Sequence, residues 1–195
     1  MAAAASLDDP FYYLVNFEFV LGWGTERHGD LLSDEELAFL AEFAALPRAS
    51  RALLVRMVMR RGEHFRTSKL VYPEISAEVS AHTADRAETG DSAASDPGEA
   101  ALAPLVAAGL VESAPALSLE VLFAQLRLPE LRQALAGEIR AAGLSASLGK
   151  GTLLDALAPR GLAARPLDAW WPAAPDRAVR RTVRATGGRP RLTFF

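Results

Sequence analysis

Apolar positions recur at helical spacing through most of the chain. Tyr13, Phe17 and Val20 form one line, with Leu14 and Leu21 beside it, and predict a helix over Phe11–Leu21. Asp9 and Pro10 supply its cap and first residue, and Gly22 closes it. These aromatics read as core, but Tyr12 and Tyr13 cannot both face inward. One hydroxyl is therefore left for solvent or a ligand. The glycines of Gly22–Leu32 read as a loop. Ser33 and Glu36 then form a capping box, opening a helix to about Leu46. Leu37, Leu40, Ala41 and Ala44 are its predicted buried stripe, with Phe39 and Phe43 alongside.

The third pattern is the most distinctive. In Pro47–Gly62, Ala49, Leu53 and Met57 share a face, as do Leu54, Val58 and Arg61. Pro47 fits the first helical position and Gly62 the stop. Beyond them Arg66, Lys69 and Tyr72 lie three apart among Thr67 and Val71, residues that favour extended structure. A helix followed by a basic arm is how a winged helix meets a DNA backbone.

Ser76–Gly98 breaks the pattern. It is rich in Ala, Ser, Asp and Glu and almost free of large apolar groups, which predicts a disordered acidic insertion between two wing elements. Glu99–Leu110 returns to helix, and Leu110-Val111 would be the returning wing edge. Ser118 caps a short helix through Leu126. Leu128-Pro129 starts a helix through Leu131, Leu135 and Ile139, which Gly143-Leu144 ends. A polar turn leads to a second helix, Thr152–Ala158, with Leu153, Leu154 and Leu157 buried. After Pro159 regularity fades, Trp170-Trp171 reads as a packing corner, and the end at Phe194 and Phe195 looks truncated.

Charge sharpens this picture. The net charge is −3 over 195 residues, yet Arg48, Arg51, Arg56, Arg60, Arg61, Arg66 and Lys69 crowd one stretch, opposed only by Glu63 and Glu74. Such a cluster on an acidic chain points to an anionic partner, with nucleic acid the default. Arg60 and Arg61 also suit a helix C-terminus electrostatically. Lys150 stands at the mouth of a helix between Gly149 and Gly151, where free N–H groups favour a phosphate. A second basic run covers Arg177–Arg191. The cations are all arginine except Lys69 and Lys150, and with the abundant alanine this suggests GC-rich, bacterial coding.

The absence of cysteine excludes disulfides and thiolate metal sites. His28, His64 and His82 lack ligand spacing, which leaves little room for a hydrolase with an unrecognised site. Half the residues are hydrophobic, enough for a real core. The start has no basic n-region, and Phe11–Leu21 is too short to span a bilayer. The expectation is a soluble cytoplasmic protein with no membrane partner.

DDPFYYLVNFEFVL, the capping-box helix, VRMVMRRGEHFRTSKLVYPEI, the helix ending AAGLVES and the LRLPELRQAL…GL…GKGTLLDAL unit occur in that order. Together they resemble the N-terminal half of the Fanconi-associated nuclease family, the VRR-NUC nucleases of DNA interstrand-crosslink repair. The likeness runs from about Asp8 to Trp171. The last unit resembles a SAP motif through Gly143-Leu144 and through Lys150, Leu153, Leu154 and Leu157.

The resemblance implies a mainly α chain in three parts. Residues 8–75 plus 99–126 would form a helical winged-helix-like (HTH) domain with a small β wing; the acidic insertion at 76–98 departs from the family's pattern. Residues 127–160 would form a SAP-like helix pair, and 161–195 an irregular segment. It implies DNA contacts by Tyr13, Arg56, Arg60, Arg61, Lys69 and Tyr72, with Lys150 on a phosphate. The partner would be duplex or flap DNA at the bacterial nucleoid. The full-length family is a phosphodiesterase I that uses magnesium or manganese. Its catalytic Lys follows an acid or Gln by two residues, whereas Lys69 is preceded there by Thr67 and Lys150 by Leu148. The expectation is therefore a DNA-binding portion without catalytic residues or cofactor. The alternative is a helical scaffold that docks on a separate nuclease half, suggested by Trp170-Trp171 and the apolar end.

Overall fold

The computed structural model describes residues 8–87, 96–145, 147–174 and 182–185. The chain divides into two compact units. In the described residues, the first unit runs up to Glu63 and resumes over Leu70–Val111. The second takes His64–Lys69 and Glu112–Arg184, and Ala185 belongs to the first.

The first unit is helical. It contains α1 (Tyr12–His28), α2 (Asp34–Ala45), α3 (Arg48–Val58), α4 (Pro73–Ala87) and α5 (Pro97–Ala107). α3 packs against α1, α4 and α5. That explains why its buried set, Ala49, Ser50, Ala52, Leu53, Leu54, Val55 and Met57, is wider than a single stripe. Val58, predicted to be inside, is exposed. Pro47 precedes the helix rather than opening it. The chain leaves α3 through Gly62, whose φ of +86° is costly for any side chain.

Three expectations are corrected here. α1 does not stop at Gly22 but continues to His28, followed by a 3-10 turn over Gly29–Leu31. Glycine in a helix interior costs only about 1 kcal/mol, which tertiary packing can override. In α2 the capping box forms as predicted, with Ser33 Oγ accepting from Glu36 N–H and Glu36 accepting from Ser33 N–H. Its core contact is narrow, however: Phe43 is buried, while Leu37, Ala41 and Ala44 are exposed. Phe43 meets the Phe17 ring edge-on at 5.6 Å. Finally, residues 76–87 are not a disordered insertion but most of α4. Pro73 suits a first turn, Ile75 is buried, and alanine and glutamate are sound helix formers once α3 and α5 supply a surface. Residues 88–95 of that predicted insertion lie outside the described residues.

The second unit holds β1 (His64–Arg66), α6 (Leu119–Gln125), α7 (Leu128–Ala134), α8 (Ala136–Ala141), α9 (Lys150–Leu157) and α10 (Leu167–Trp170). β2 (Val111–Ser113) enters it from the first unit, and β3 (Thr182–Ala185) completes the sheet. Leu117, Leu122, Leu131, Leu135, Leu153, Leu157 and Trp170 form its core. Ser118 caps α6 as expected, its Oγ accepting from Val121 N–H. The predicted helix through Ile139 is instead two, broken at Leu135 with φ −105° and ψ 18°. Gly143, at φ +62°, ends α8 with Leu144 N–H bonded to Ile139 O at 3.0 Å, so the predicted stop holds.

The wing is also revised. β1 does not pair with the edge after α5; the strand order is β1-β3-β2, with β3 between them. β1 and β3 are antiparallel, with His64 opposite Arg184 and Arg66 opposite Thr182. The predicted arm is extended only to Arg66, and Thr67–Lys69 form a 3-10 turn. The C-terminal segment, predicted to be irregular, therefore contributes α10 and β3. Trp170 and Trp171 are buried as a packing corner, and Trp170 Nε1 donates to Leu117 O at 3.0 Å. They present no docking surface, which removes half the basis for a scaffold. The other half, the apolar end, lies outside the described residues. No helix among the described residues is long and apolar enough to cross a membrane.

Candidate nucleic-acid interface

Four of the predicted contact residues meet in the first unit, where the end of α3 faces the start of α4. Arg56 is their centre. Its Nε and Nη2 donate to Glu74 Oε1 at 3.2 and 2.7 Å. Its guanidinium lies 3.9 Å from the centroid of the Tyr13 ring and 5.2 Å from that of Tyr72. The Tyr13 hydroxyl donates to the same Glu74 oxygen at 3.1 Å. Arg60, one turn further on, lies 5.3 Å from the Tyr72 ring. Two tyrosine rings thus lie against one guanidinium, and a carboxylate bonds two of its nitrogens.

The sequence order makes this geometry possible. Arg56 is in the last turn of α3 and Arg60 in the turn that follows it, where Arg60 N–H bonds Met57 O at 3.0 Å. Pro73 starts α4 directly after Tyr72, which puts Glu74 in the first turn, where the helix dipole favours an anion. Burial alone would raise the Glu74 carboxyl pKa, but the Arg56 hydrogen bonds, a backbone N–H, the Arg56 charge and the Tyr13 hydroxyl together hold the group below its ordinary range. Burial raises the Tyr13 phenol to about 12, with the Glu74 charge pushing the same way and Arg56 opposing. Burial also raises Tyr72. Its hydroxyl is enclosed with no hydrogen-bond partner among the described residues.

The other predicted residues stand elsewhere. Arg61 is exposed just past α3. Lys69 ends the 3-10 turn of the second unit. Lys150 is the first residue of α9 rather than the one before it, and its Nζ donates to Leu126 O at 2.9 Å. That bond satisfies a carbonyl at the end of α6 and uses one of three ammonium donors. Tyr13 is only 4% exposed, so it faces Arg56 rather than solvent.

The basic cluster of the sequence is largely matched by carboxylates in space. Arg48 pairs with Glu78 at 3.5 Å, Arg51 with Glu18, and Arg56 with Glu74. Arg66 forms two 3.0 Å bonds to the Glu130 carboxylate, which also accepts from Arg127 N–H. Glu74 escaped the reading because it counted there only as an opposing charge. Its place right after a proline was the available signal. Among the described residues no three His, Cys, Asp or Glu come together as a group that could hold a metal ion.

Residues 11–88 match the family model "FAN1, HTH domain", and residues 116–170 match "Fanconi anemia-associated nuclease SAP domain". The chain is 41% identical over 190 residues to the Fanconi-associated nuclease 1 homolog of Pseudomonas aeruginosa. The match covers 97% of this chain but 30% of that protein. The homolog of Oryza sativa subsp. japonica is 39% identical over 64 residues, which is 33% of this chain and 7% of its own length. Among solved structures, paFAN1 bound to 2nt 5′ flap DNA with a gap superposes with a TM-score of 0.73 at 40% identity. That match covers 93% of this chain and 28% of paFAN1. The complex with 1nt 5′ flap DNA gives 0.72 at 41%, over 92% and 28%.

Proposed function

The chain belongs to the Fanconi-associated nuclease family, and on that premise we propose that it is a DNA-gripping part of a structure-specific nuclease. Its partner is a duplex that carries a flap or gap, held through phosphates. The observation that carries this reading is the Arg56–Arg60 edge, two guanidiniums at the end of α3 set against tyrosine rings. Arg61 on the first unit, and Lys69 and Lys150 on the second, add phosphate contacts. Contacts of this kind set position and orientation without reading sequence. Hydrolysis, its metal and the repair of crosslinks belong to the rest of such a nuclease; this chain spans 30% of the Pseudomonas relative. The same reading places the chain with chromosomal DNA in the cytoplasm.

The test is binding to a labelled 5′-flap duplex at two salt concentrations, with and without manganese, reading both shift and cleavage. Salt-steep binding without cleavage is the expected result, because each phosphate contact releases counterions. A flat salt dependence would remove the proposal.

A second reading, docking on a separate nuclease half, draws on a different surface from the tryptophan pair. Phe19, Val20 and Trp23 on α1, with Leu31 after it, are exposed. A contiguous apolar face of that kind marks a contact site. Fluorescent dye binding by the purified chain, lost on Trp23→Ser, would favour it. A monomer that binds no dye would not.

A further inference from the structure

Resting on the DNA-binding reading above, we infer that Glu74 is a positioning residue of the interface: it holds Arg56 in the orientation that a phosphate meets. A carboxylate beside a polyanion site ordinarily opposes binding. Its geometry here argues otherwise. Three donors, Arg56 Nε, Arg56 Nη2 and the Tyr13 hydroxyl, converge on the single oxygen Oε1. The rings of Tyr13 and Tyr72 confine the guanidinium plane, and Glu74 fixes its rotation within that plane.

A guanidinium has five N–H donors. Glu74 takes one from Nε and one from Nη2, which leaves the Nη1 pair and the second Nη2 hydrogen. The Arg56 side chain is 30% exposed, so part of it reaches solvent, whereas the Glu74 side chain is only 10% exposed. The acid therefore lies behind the base. A mobile arginine would lose its rotamer freedom when DNA arrives, whereas a clamped one has lost it already. Arg60 gains from the same arrangement, since the Tyr72 ring it overlies immediately precedes α4.

The sign of one substitution separates this role from plain electrostatics. Flap-duplex affinity and its salt slope are measured for the unaltered chain, Glu74→Gln, Glu74→Ala, Arg56→Ala and the double variant Arg56→Ala/Glu74→Ala. Thermal melts of each report folding. Positioning predicts that Glu74→Ala weakens binding about fivefold and lowers the salt slope by about one contact. Glu74→Gln, which keeps an acceptor, should lie between it and the unaltered chain. In the Arg56→Ala background, removing Glu74 should cost nothing further. Tighter binding by Glu74→Ala or Glu74→Gln, as loss of a negative charge alone would give, overturns the inference. So does an equal loss in the Arg56→Ala background, which would mark a role in folding. If Glu74→Ala does not fold, Glu74→Gln decides by the same sign. Failure of the unaltered chain to bind at low salt would sink the DNA-binding reading itself, and this inference with it. Salt-steep binding by the unaltered chain with either contrary result sinks only the inference.

Discussion

Arg56 and Arg66 stand ten residues apart in the same basic stretch, and each is bonded to a glutamate from a distant helix. The resemblance ends at burial. Arg56 bonds one carboxylate oxygen, keeps donors to spare, and is 30% exposed at the side chain. Arg66 makes two bonds to both oxygens of Glu130 and is 6% exposed. Its Nη1 also lies 3.5 Å from Gln125 O, and the Gln125 amide donates to His64 O at 2.9 Å. Arg66 is an interior cross-link that ties β1 to α6 and α7. Arg56 is a surface group held in place. Equal formal charge in sequence thus separates into a structural part and a presented part, and only the second can meet DNA.

The sharpest way to break this comparison is to remove Arg66. Arg66→Ala empties a buried arginine site and leaves the half-buried Glu130 with only its Arg127 N–H bond, which should cost about 3 kcal/mol in urea denaturation. Arg66→Met/Glu130→Leu should recover most of it. If Arg66→Ala instead changed the DNA salt slope with stability intact, the division drawn here would be wrong. Arg56→Ala should do the reverse. Loss of a charge-assisted phosphate contact should weaken flap-duplex binding roughly tenfold, with a smaller change in melting.

Tyr13→Phe comes next. It removes the hydroxyl bonded to Glu74 and should cost on the order of 1 kcal/mol at neutral pH. It also changes the alkaline limb. The Tyr13 phenol holds its proton up to about 12 when folded, against 10.0 when unfolded. Its contribution to stability is therefore full below pH 10 and is lost as pH rises towards 12. Tyr13→Phe should remove that part of the alkaline loss, which pH-dependent melts would register. On the acid side, Glu74 and Glu130 both titrate below their ordinary range. Burial opposes that shift in each, and the arginine side-chain bonds, backbone N–H donors and arginine charges together outweigh it. Their stabilisation is present above the unfolded glutamate value and is lost as pH falls through the lower folded one. The smallest expected effect is that of Arg61→Ala: stability within about 0.5 kcal/mol, and a salt slope reduced by about one contact.

Much of this was legible in the sequence wherever the signal is local. The Ser33–Glu36 box, the Ser118 cap and the Gly143 stop are each decided within a few residues, whereas α3 begins one residue after Pro47 and ends at Val58, short of Gly62. Tyr13, Arg56, Arg60 and Tyr72 were named together only through the family resemblance, and their meeting around Glu74 was not read from the sequence. What was missed depends on distant partners. Gly22 and Gly24 look like breakers until α1 is seen to run through them. Residues 76–87 look too polar to fold until α3 and α5 offer a surface. The carboxylates that neutralise Arg48, Arg51 and Arg66 lie on α4, α1 and α7, and no window around the basic cluster contains all three. β3 was hidden for the same reason, since its partners are β1 and β2, far back in the chain.

The placement of β3 also bears on the order of synthesis. Until Thr182–Ala185 leave the ribosome, β1 and β2 have no strand between them, and each exposes the backbone groups that β3 will bond. Helices of the first unit can form while the chain is still growing, but the sheet must wait until Thr182–Ala185 are made. During that interval two open edges sit on a nascent chain, the condition under which strands pair with the wrong neighbour. Ribosome-bound chains halted before Thr182 should therefore be the aggregation-prone and protease-sensitive stage of this protein's biogenesis.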